Sequence, residues 1–416
     1  MEAYTCDVFC GGEKMDQNTT GYNINDVRRN NVSAIIRLLH RAKVCSRADL
    51  ARATGLKQAT ITNIINELIE SEFVIEVGHI EGRMKRRSIG ISLNKVYQTI
   101  GIRLERNYLK ACLFNIMGEP LEIREKEFPE KVNAHEVVSW LVEIVQQLID
   151  GTDQDKLLGI GLAIPGPFLQ KNQQIELMSG FPGWQEIDFK KELEDQFSLP
   201  VYIEHNANCG ALSEMWYGDI GDNKNVIFIA ADIGIGAGIL INQQLYKGAL
   251  GIAGEIGHMC IDYSGPKCEC GNRGCLELYC STRRLKQIYK EEVAADLSGG
   301  ENECSTKEIL KKAAGGDVTA RRALSKIAVS LAYGIANIVN LFNPDLIIIS
   351  DKLSLAGEAL IEELNRILKE LLLESVFANL NIRLGRFAED AMVYGASALV
   401  LEECISSPFL TRLPIS

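Results

Sequence analysis

Four potential metal ligands, His258, Cys268, Cys270 and Cys275, stand close together in the stretch GHMCIDYSGPKCECGNRGCLE. One imidazole and three thiolates make a closed tetrahedral donor set, the preference of structural zinc. Gly271 and Gly274 allow so short a loop to fold its last thiolates around one ion. Free thiols in a loop are the competing reading, but C-x-C-x4-C behind a histidine is hard to obtain by accident. Cys260 and Cys280 are rivals for a ligand position.

A second cluster lies in VYIEHNANCG, residues 201–210. Val201, Tyr202 and Ile203 read as a buried strand, and Glu204, His205, Asn206 and Asn208 follow at its carboxyl end. Polar side chains at that end of an apolar strand point to a bound ligand. A carboxylate there takes a proton at neutral pH, whereas an amide does not.

A third group is basic and polar. In SRADLARATGLKQATITNIINELIESEFV, Ser46 is an N-cap with Asp49 at the third helical position, and Gly55 suits a left-handed turn. A second helix runs from near Lys57 to Glu70 and buries Ile61, Ile64, Ile65 and Leu68. Lys57, Gln58, Thr60, Thr62 and Asn63 near its start suit phosphates and base edges in a major groove. A preceding helix starts near residue 25, with Val32, Ile35, Ile36, Leu38 and Leu39 at helical spacing. Apolar runs at 73–77 and 88–93 bracket GHIEGRMKRR, which reads as a β-hairpin wing carrying Arg83, Lys85, Arg86 and Arg87. Helix-turn-helix, polar recognition helix and basic wing in this order predict DNA binding over a helical protein-interaction module with a solvated loop.

Charge supports the division. Twelve Lys and Arg against seven Asp and Glu give residues 25–93 a net +5, leaving −16 for the rest of a chain whose net charge is −11. A basic module on an acidic body suits a polyanion partner for the module alone. With 46% hydrophobic and 24% charged residues, 416 residues bury a large core in two or three domains. The amino terminus lacks the basic and apolar regions of a signal peptide, and apolar runs fall short of the ~20 residues of a membrane span. A cytoplasmic protein, nucleoid-associated on DNA and with no membrane partner, is expected. Most of the 12 cysteines then read as core residues or metal ligands.

From residue 98 the pattern changes to strands and helices in α/β order. TIGIRLERNYLKACLFNIMGEPLEIREKEF reads as three strands, followed by a helix over 134–149 and the buried strand of LLGIGLAIPGPF. The VYIEH strand precedes a helix over about 206–217, and NVIFIAADIGIGAGILINQQLYKG opens a second cycle of the same kind. Two such halves facing each other make an actin-like (ribonuclease H-like) two-lobed fold with a ligand cleft between them. The predicted organisation is a disordered tail at 1–24 and a winged helix-turn-helix at 25–93. A first lobe at 94–205 plus about 388–416 and a second lobe with the metal site at 206–387 complete it.

GIGLAIPGP, FPGW, EHNANCGAL, GIGAGILINQQLYKGALGIAGEIGHM and CECGNRGCLE resemble the ROK family of repressors, open reading frames and sugar kinases. With the winged helix, the resemblance covers about residues 25–416 and is nearest to NagC/XylR-type repressors, those for N-acetylglucosamine and xylose. It implies a structural Zn2+ on His258, Cys268, Cys270 and Cys275. It implies a sugar grip made of His205, Asn206, Glu255, His258 and Glu277, with the metal fixing the His258 ring and leaving its other nitrogen for a hydroxyl.

The kinases of the family carry Glu-Asn-Asp where this chain has Glu204-His205-Asn206, so the base position holds an amide. Their D-x-G-x-T phosphate loop corresponds to RLERNY, residues 103–108, which lacks the Asp, Gly and Thr. Their G-T-G-I-G-x-G loop corresponds to Asp232-Ile233-Gly234-Ile235-Gly236-Ala237-Gly238, and their late glycine pair to Ser350-Asp351-Lys352. Four losses together predict no ATP use and no catalytic residue. The expected protein is a sugar-responsive repressor of carbohydrate genes, with xylose the first candidate. It binds a sugar or sugar phosphate and a palindromic operator as a homodimer or tetramer. The alternatives are a hexose or N-acetylhexosamine kinase with an appended DNA-binding domain, and a sensor of a transport-system protein.

Overall fold

The computed structural model describes residues 24–81, 87–129, 132–166, 168–169, 174–175, 184, 187–295 and 304–406. The predicted tail up to residue 23 and the wing residues Arg83, Lys85 and Arg86 lie outside this set.

The head consists of α1 (Ile24–Ala42), α2 (Arg47–Thr54), α3 (Gln58–Glu70) and the antiparallel hairpin of β1 (Val74–Glu81) and β2 (Arg87–Leu93). Ser46 and Asp49 cap α2 reciprocally: the Asp49 amide donates to Ser46 Oγ and the Ser46 amide to the Asp49 carboxylate. Gly55, at φ +73°, closes α2 in the left-handed region. The hairpin is longer than its apolar runs indicate, because its register slips between Glu76 and His79 and carries the ladder on toward the tip.

The first sheet of the body contains β3 (Gln98–Leu104), β4 (Tyr108–Asn115), β5 (Pro120–Glu127), β6 (Leu157–Ile164) and β9 (Val201–His205), in the order β5-β4-β3-β6-β9. Helices α4 (Ala134–Ile149) and α5 (Phe189–Phe197) share one core with it. The two-residue strands β7 (Phe168–Leu169) and β8 (Gln174–Ile175) form a small separate ladder.

After α6 (Asn206–Trp216) comes the second sheet: β10 (Val226–Ala231), β11 (Ile235–Ile241), β12 (Gln244–Leu245), β13 (Leu346–Ser350) and β14 (Asn381–Leu384), in the order β12-β11-β10-β13-β14. In both sheets an antiparallel meander passes into two parallel strands, so the halves repeat one topology. The central strands are buried along nearly their whole length, which is why they read as continuous apolar runs. Helices α7 (Glu277–Cys280), α8 (Thr282–Ala295), α9 (Thr306–Ala314), α10 (Val318–Phe342), α11 (Glu358–Leu371) and α12 (Glu374–Phe377) lie between β12 and β14 in the chain. The 25-residue α10 is long and apolar enough to cross a membrane by length and composition alone. Here it is a core helix, packed on α8, α9 and α11.

The last helix, α13 (Ala391–Ser406), packs on β3 and β6 and against α6, which in turn packs on β10 and β11. These contacts are backbone to backbone. A Cβ on Gly161 would lie 1.8 Å from the Ala396 carbonyl oxygen, and one on Gly395 only 1.7 Å from that of Cys209. Two helices thus sit between the two sheets with no room for side chains at the points of crossing.

The head shares its core with this helix pair. Ile35, Ile36 and Leu39 of α1 cluster with Trp216 and Tyr217 at the end of α6 and with Leu401, Cys404 and Ile405 of α13. His40 lies in the same joint, 5.0 Å edge-on from Trp216, and its Nε2 has no hydrogen-bond partner among the described residues. Burial, only partly opposed by a hydrogen bond to the Ile116 backbone, lowers its pKa to about 4. The unfolded chain therefore takes up a proton below about pH 6.5 that the folded joint refuses until about pH 4. Stability should fall as pH drops through that window, by ~3 kcal/mol when complete. Thermal melts of the wild type and of His40→Phe across pH 4–6.5 should show a steeper decline for the wild type.

Candidate ligand cleft and metal centre

A cleft of about 300 Å³ opens where the carboxyl ends of the central strands of the two sheets face each other. His205 ends β9 and Asn206 begins α6, so the strand-to-helix turn aims both into it. Glu255 and His258 come from the loop after β12, and Glu277 is the first residue of α7. All five predicted sugar-grip residues line this one cleft. Gly254, at φ +100°, lets the loop lie on β11, since a Cβ there would be 1.9 Å from the Ala237 carbonyl oxygen. Across the cleft, His205 Nε2 faces Glu255 Oε1 at 3.8 Å.

The ligand atoms of His258, Cys268, Cys270 and Cys275 all lie within 4.8 Å of one another. The sulfurs of Cys270 and Cys275 are 3.7 Å apart, and Cys268 Sγ is 3.8 Å from His258 Nδ1. A tetrahedron with bonds of about 2.3 Å has edges of about 3.8 Å, so the donor set fits zinc in composition and spacing. Nδ1 is the imidazole atom turned to the sulfurs, which leaves Nε2 for another partner. Glu277 Oε1 lies 3.3 Å from His258 Nδ1 and 3.2 Å from Cys268 Sγ, so this carboxylate abuts the metal set as well as the cleft. Cys280 is buried and donates to the Leu276 carbonyl, and Cys260 is exposed; neither joins the cluster.

Asn206 is almost fully buried. Its Nδ2 donates to Glu105 Oε1 at 2.8 Å, while its Oδ1 has no partner among the described residues. The carboxylates around it are already engaged. Glu204, at 0% exposure, accepts from the His205 amide and from Asn208 Nδ2, and Lys247 Nζ lies 2.8 Å from its other oxygen. Glu105 Oε1 also accepts from Arg103 Nε at 2.9 Å.

Arg103 was legible in the sequence only as part of a departed phosphate loop; its structural role was not. Its guanidinium is paired in fork fashion with Asp351, at 2.9 and 3.3 Å, and donates to the Glu389 carbonyl at 2.7 Å. Burial works against its charge, but Asp351, Glu105 and Tyr108 outweigh that and raise its pKa well above the ordinary value. Burial likewise pushes the Asp351 carboxyl up, against the pull of Arg103. A guanidinium does not deprotonate, and the paired geometry keeps its partner a carboxylate. Beside them Asp232 pairs with Lys352 at 2.6 Å and accepts from Thr282 at 2.8 Å. The only signal in the sequence was an arginine inside the apolar strand QTIGIRL.

On the head, Lys57, Gln58 and Asn63 are exposed at the start of α3, while Thr60 and Thr62 are half-buried. Thr62 Oγ1 donates to the Gln58 carbonyl at 2.9 Å, which engages its hydroxyl proton within the helix. Arg87 is exposed at the start of β2.

The chain is 34% identical to a putative xylose repressor of Caldicellulosiruptor sp. (strain Rt8B.4), over 92% of this chain and 98% of that protein. Among solved structures it is similar to a ROK family transcriptional regulator, a homologue of the Escherichia coli MLC protein. That match has a TM-score of 0.77 and 24% identity, covering 93% of this chain and 98% of the other. A ROK family glucokinase from Streptomyces griseus, solved with glucose and AMPPNP, matches at a TM-score of 0.65 and 24% identity, covering 74% of this chain and all of the kinase. The sequence model of the ROK family matches residues 99–403. By fold, by motif and by these likenesses, the chain belongs to the ROK family.

Proposed function

We propose that this protein is a sugar-responsive DNA-binding repressor of xylose-utilisation genes, and that it does not phosphorylate its sugar. The observation that carries the reading is Asn206: an amide at the family's base position, its nitrogen committed to Glu105 and its oxygen left for a ligand. Proton removal from a sugar hydroxyl needs a carboxylate in that place, and general-base catalysis contributes about two to four orders of magnitude. The ion pairs Arg103–Asp351 and Lys352–Asp232 stand where the resemblance puts the nucleotide phosphates. The likeness to a putative xylose repressor over nearly the whole of both chains supports xylose as the sugar.

The two buried helices supply the route from sugar to DNA. α6 begins at Asn206 in the cleft and ends at Trp216 against His40 of the head. α13 carries Met392 at the cleft and Cys404 and Ile405 in the head core. A change in lobe angle is thereby passed to α1 as rigid-body movement. In a homodimer on a palindromic operator, that movement alters the spacing of the two recognition helices. Lys57, Gln58, Thr60, Thr62, Asn63 and the basic wing make the DNA contacts in this reading, and the protein works in the cytoplasm.

A duplex selected by the protein from a random pool, followed by fluorescence anisotropy, tests the coupling. D-Xylose should weaken duplex binding by about tenfold or more, a coupling within the usual range for allosteric proteins, and D-glucose and N-acetylglucosamine should do less. Saturating D-xylose, shown bound by calorimetry, with no change in duplex affinity would overturn the reading. A coupled ATP-turnover assay with the same sugars should stay at background.

The zinc belongs to the same proposal. It would hold the His258 ring through Nδ1 and brace the loop that carries the cysteines, leaving Nε2 to a sugar hydroxyl. Elemental analysis should find one zinc per chain. Chelation should lower the thermal midpoint and weaken D-xylose binding by roughly tenfold or more, since site and fold are linked, and Cys270→Ser should reproduce both effects. Retention of the metal by Cys270→Ser would reject this ligand set.

A further inference from the structure

Among the described residues, two ion pairs with buried carboxylates join the two sheets, one on either side of the His205–Asn206 turn. Arg103 lies on β3 of the first sheet and Asp351 directly follows β13 of the second. Glu204 lies on β9 of the first sheet and Lys247 follows β12 of the second, 2.8 Å away. The side chains of Arg103, Asp351 and Glu204 are 2%, 5% and 1% exposed. Parting the lobes would strand charges that the protein has already taken out of water, so each pair resists opening.

The first pair is continuous with the ligand cleft. Glu105 Oε1 accepts both from Arg103 Nε and from Asn206 Nδ2, which makes the chain Asp351–Arg103–Glu105–Asn206 a single run of charged and polar contacts across the lobes. A carboxylate can only accept here, so it dictates which way the Asn206 amide points. The nitrogen faces Glu105, and the oxygen, buried and without a partner, is the free acceptor.

We propose that Arg103–Asp351 is an interlobe clasp and that Glu105 is the positioning residue tying it to the ligand cleft. The lobes then close on the protein's own charges without a nucleotide, and Asn206 Oδ1 is presented to one hydroxyl hydrogen of the sugar. The second half of this statement rests on the sugar-cleft reading above; the clasp does not. Lys247–Glu204 is the weaker brace on the opposite side, because Lys247 is 32% exposed.

Small-angle scattering and calorimetry on the full chain test both halves. The double variant Arg103→Met/Asp351→Leu replaces the pair by apolar groups and avoids leaving a lone buried charge. Its sugar-free radius of gyration should exceed that of the wild type, and D-xylose should contract it by more than it changes the wild type. Equal sugar-free radii for wild type and double variant would reject the clasp. The second set serves even where the double variant does not fold. Asn206→Asp sets a second carboxylate against Glu105 and should weaken D-xylose binding by about tenfold or more, the cost of an unpaired buried acceptor. Adding Glu105→Gln restores a donor–acceptor pair and should recover most of that loss. Equal D-xylose affinities for Asn206→Asp with and without Glu105→Gln would reject the positioning role. A wild type that does not bind D-xylose would reject the sugar reading, while the sugar-free scattering comparison would still decide the clasp.

Discussion

The contact on which the molecule turns is the crossing of α6 and α13, where Gly395 meets the Cys209 carbonyl with no space for a side chain. A helix pair packed this closely moves as one body, because a dense interior transmits displacement and does not absorb it. Each sheet rests on one member of the pair: β3 and β6 on α13, β10 and β11 on α6. The head rests on the far ends of both, through Trp216, Leu401 and Ile405. Cleft, lobes and DNA-binding module thus share one piece of packing. In the coupling proposed above, that sharing is what lets a ligand in the 300 Å³ cavity bear on the placement of α3.

The cleft itself is defined by charge. It is lined by Arg103, Lys352, Asp232, Asp351 and Glu105, all of them paired. Buried ion pairs contribute little to stability when compared with apolar packing, since desolvation offsets most of their attraction. Their value here is directional. Glu105 fixes which end of the Asn206 amide is left without a partner among the described residues, and Arg103–Asp351 ties the two sheets together. With Glu105 and Glu204 both engaged, no free carboxylate stands beside Asn206 among the described residues, which is the basis of the sensing role proposed above.

The metal loop does for the other wall of the cleft what the ion pairs do for the first. Four potential ligands drawn from 18 residues of an otherwise irregular segment gather around one point. His258 and Glu277 project from that segment into the cleft. A loop of this composition has few apolar residues to hold its shape by burial, and in the zinc reading proposed above the donor set would supply the rigidity.

What could be read without coordinates was whatever is local. The Ser46–Asp49 cap, the Gly55 turn, the periodicity of α3 and the spacing of His258, Cys268, Cys270 and Cys275 each lie within about one loop or helix of sequence, where neighbouring residues and backbone geometry decide the outcome. The gathering of His205, Asn206, Glu255 and Glu277 was legible only through resemblance, since nothing in their spacing sets them opposite one another. The partners of Arg103 were not legible at all: Asp351 is 248 residues away, and any of the chain's 55 acidic residues could have served. The same holds for Glu204 with Lys247, for His40 under Trp216 and for the glycine contact of the two buried helices. The chain read alone gave the helices and strands and the spacing of the four Cys and His donors, and the amide at residue 206 took its meaning from the family resemblance. Which charges meet across the cleft, and which helix ends bear on the head, came from the folded chain. A long-range pair is chosen by topology, and no residue carries the identity of its distant partner.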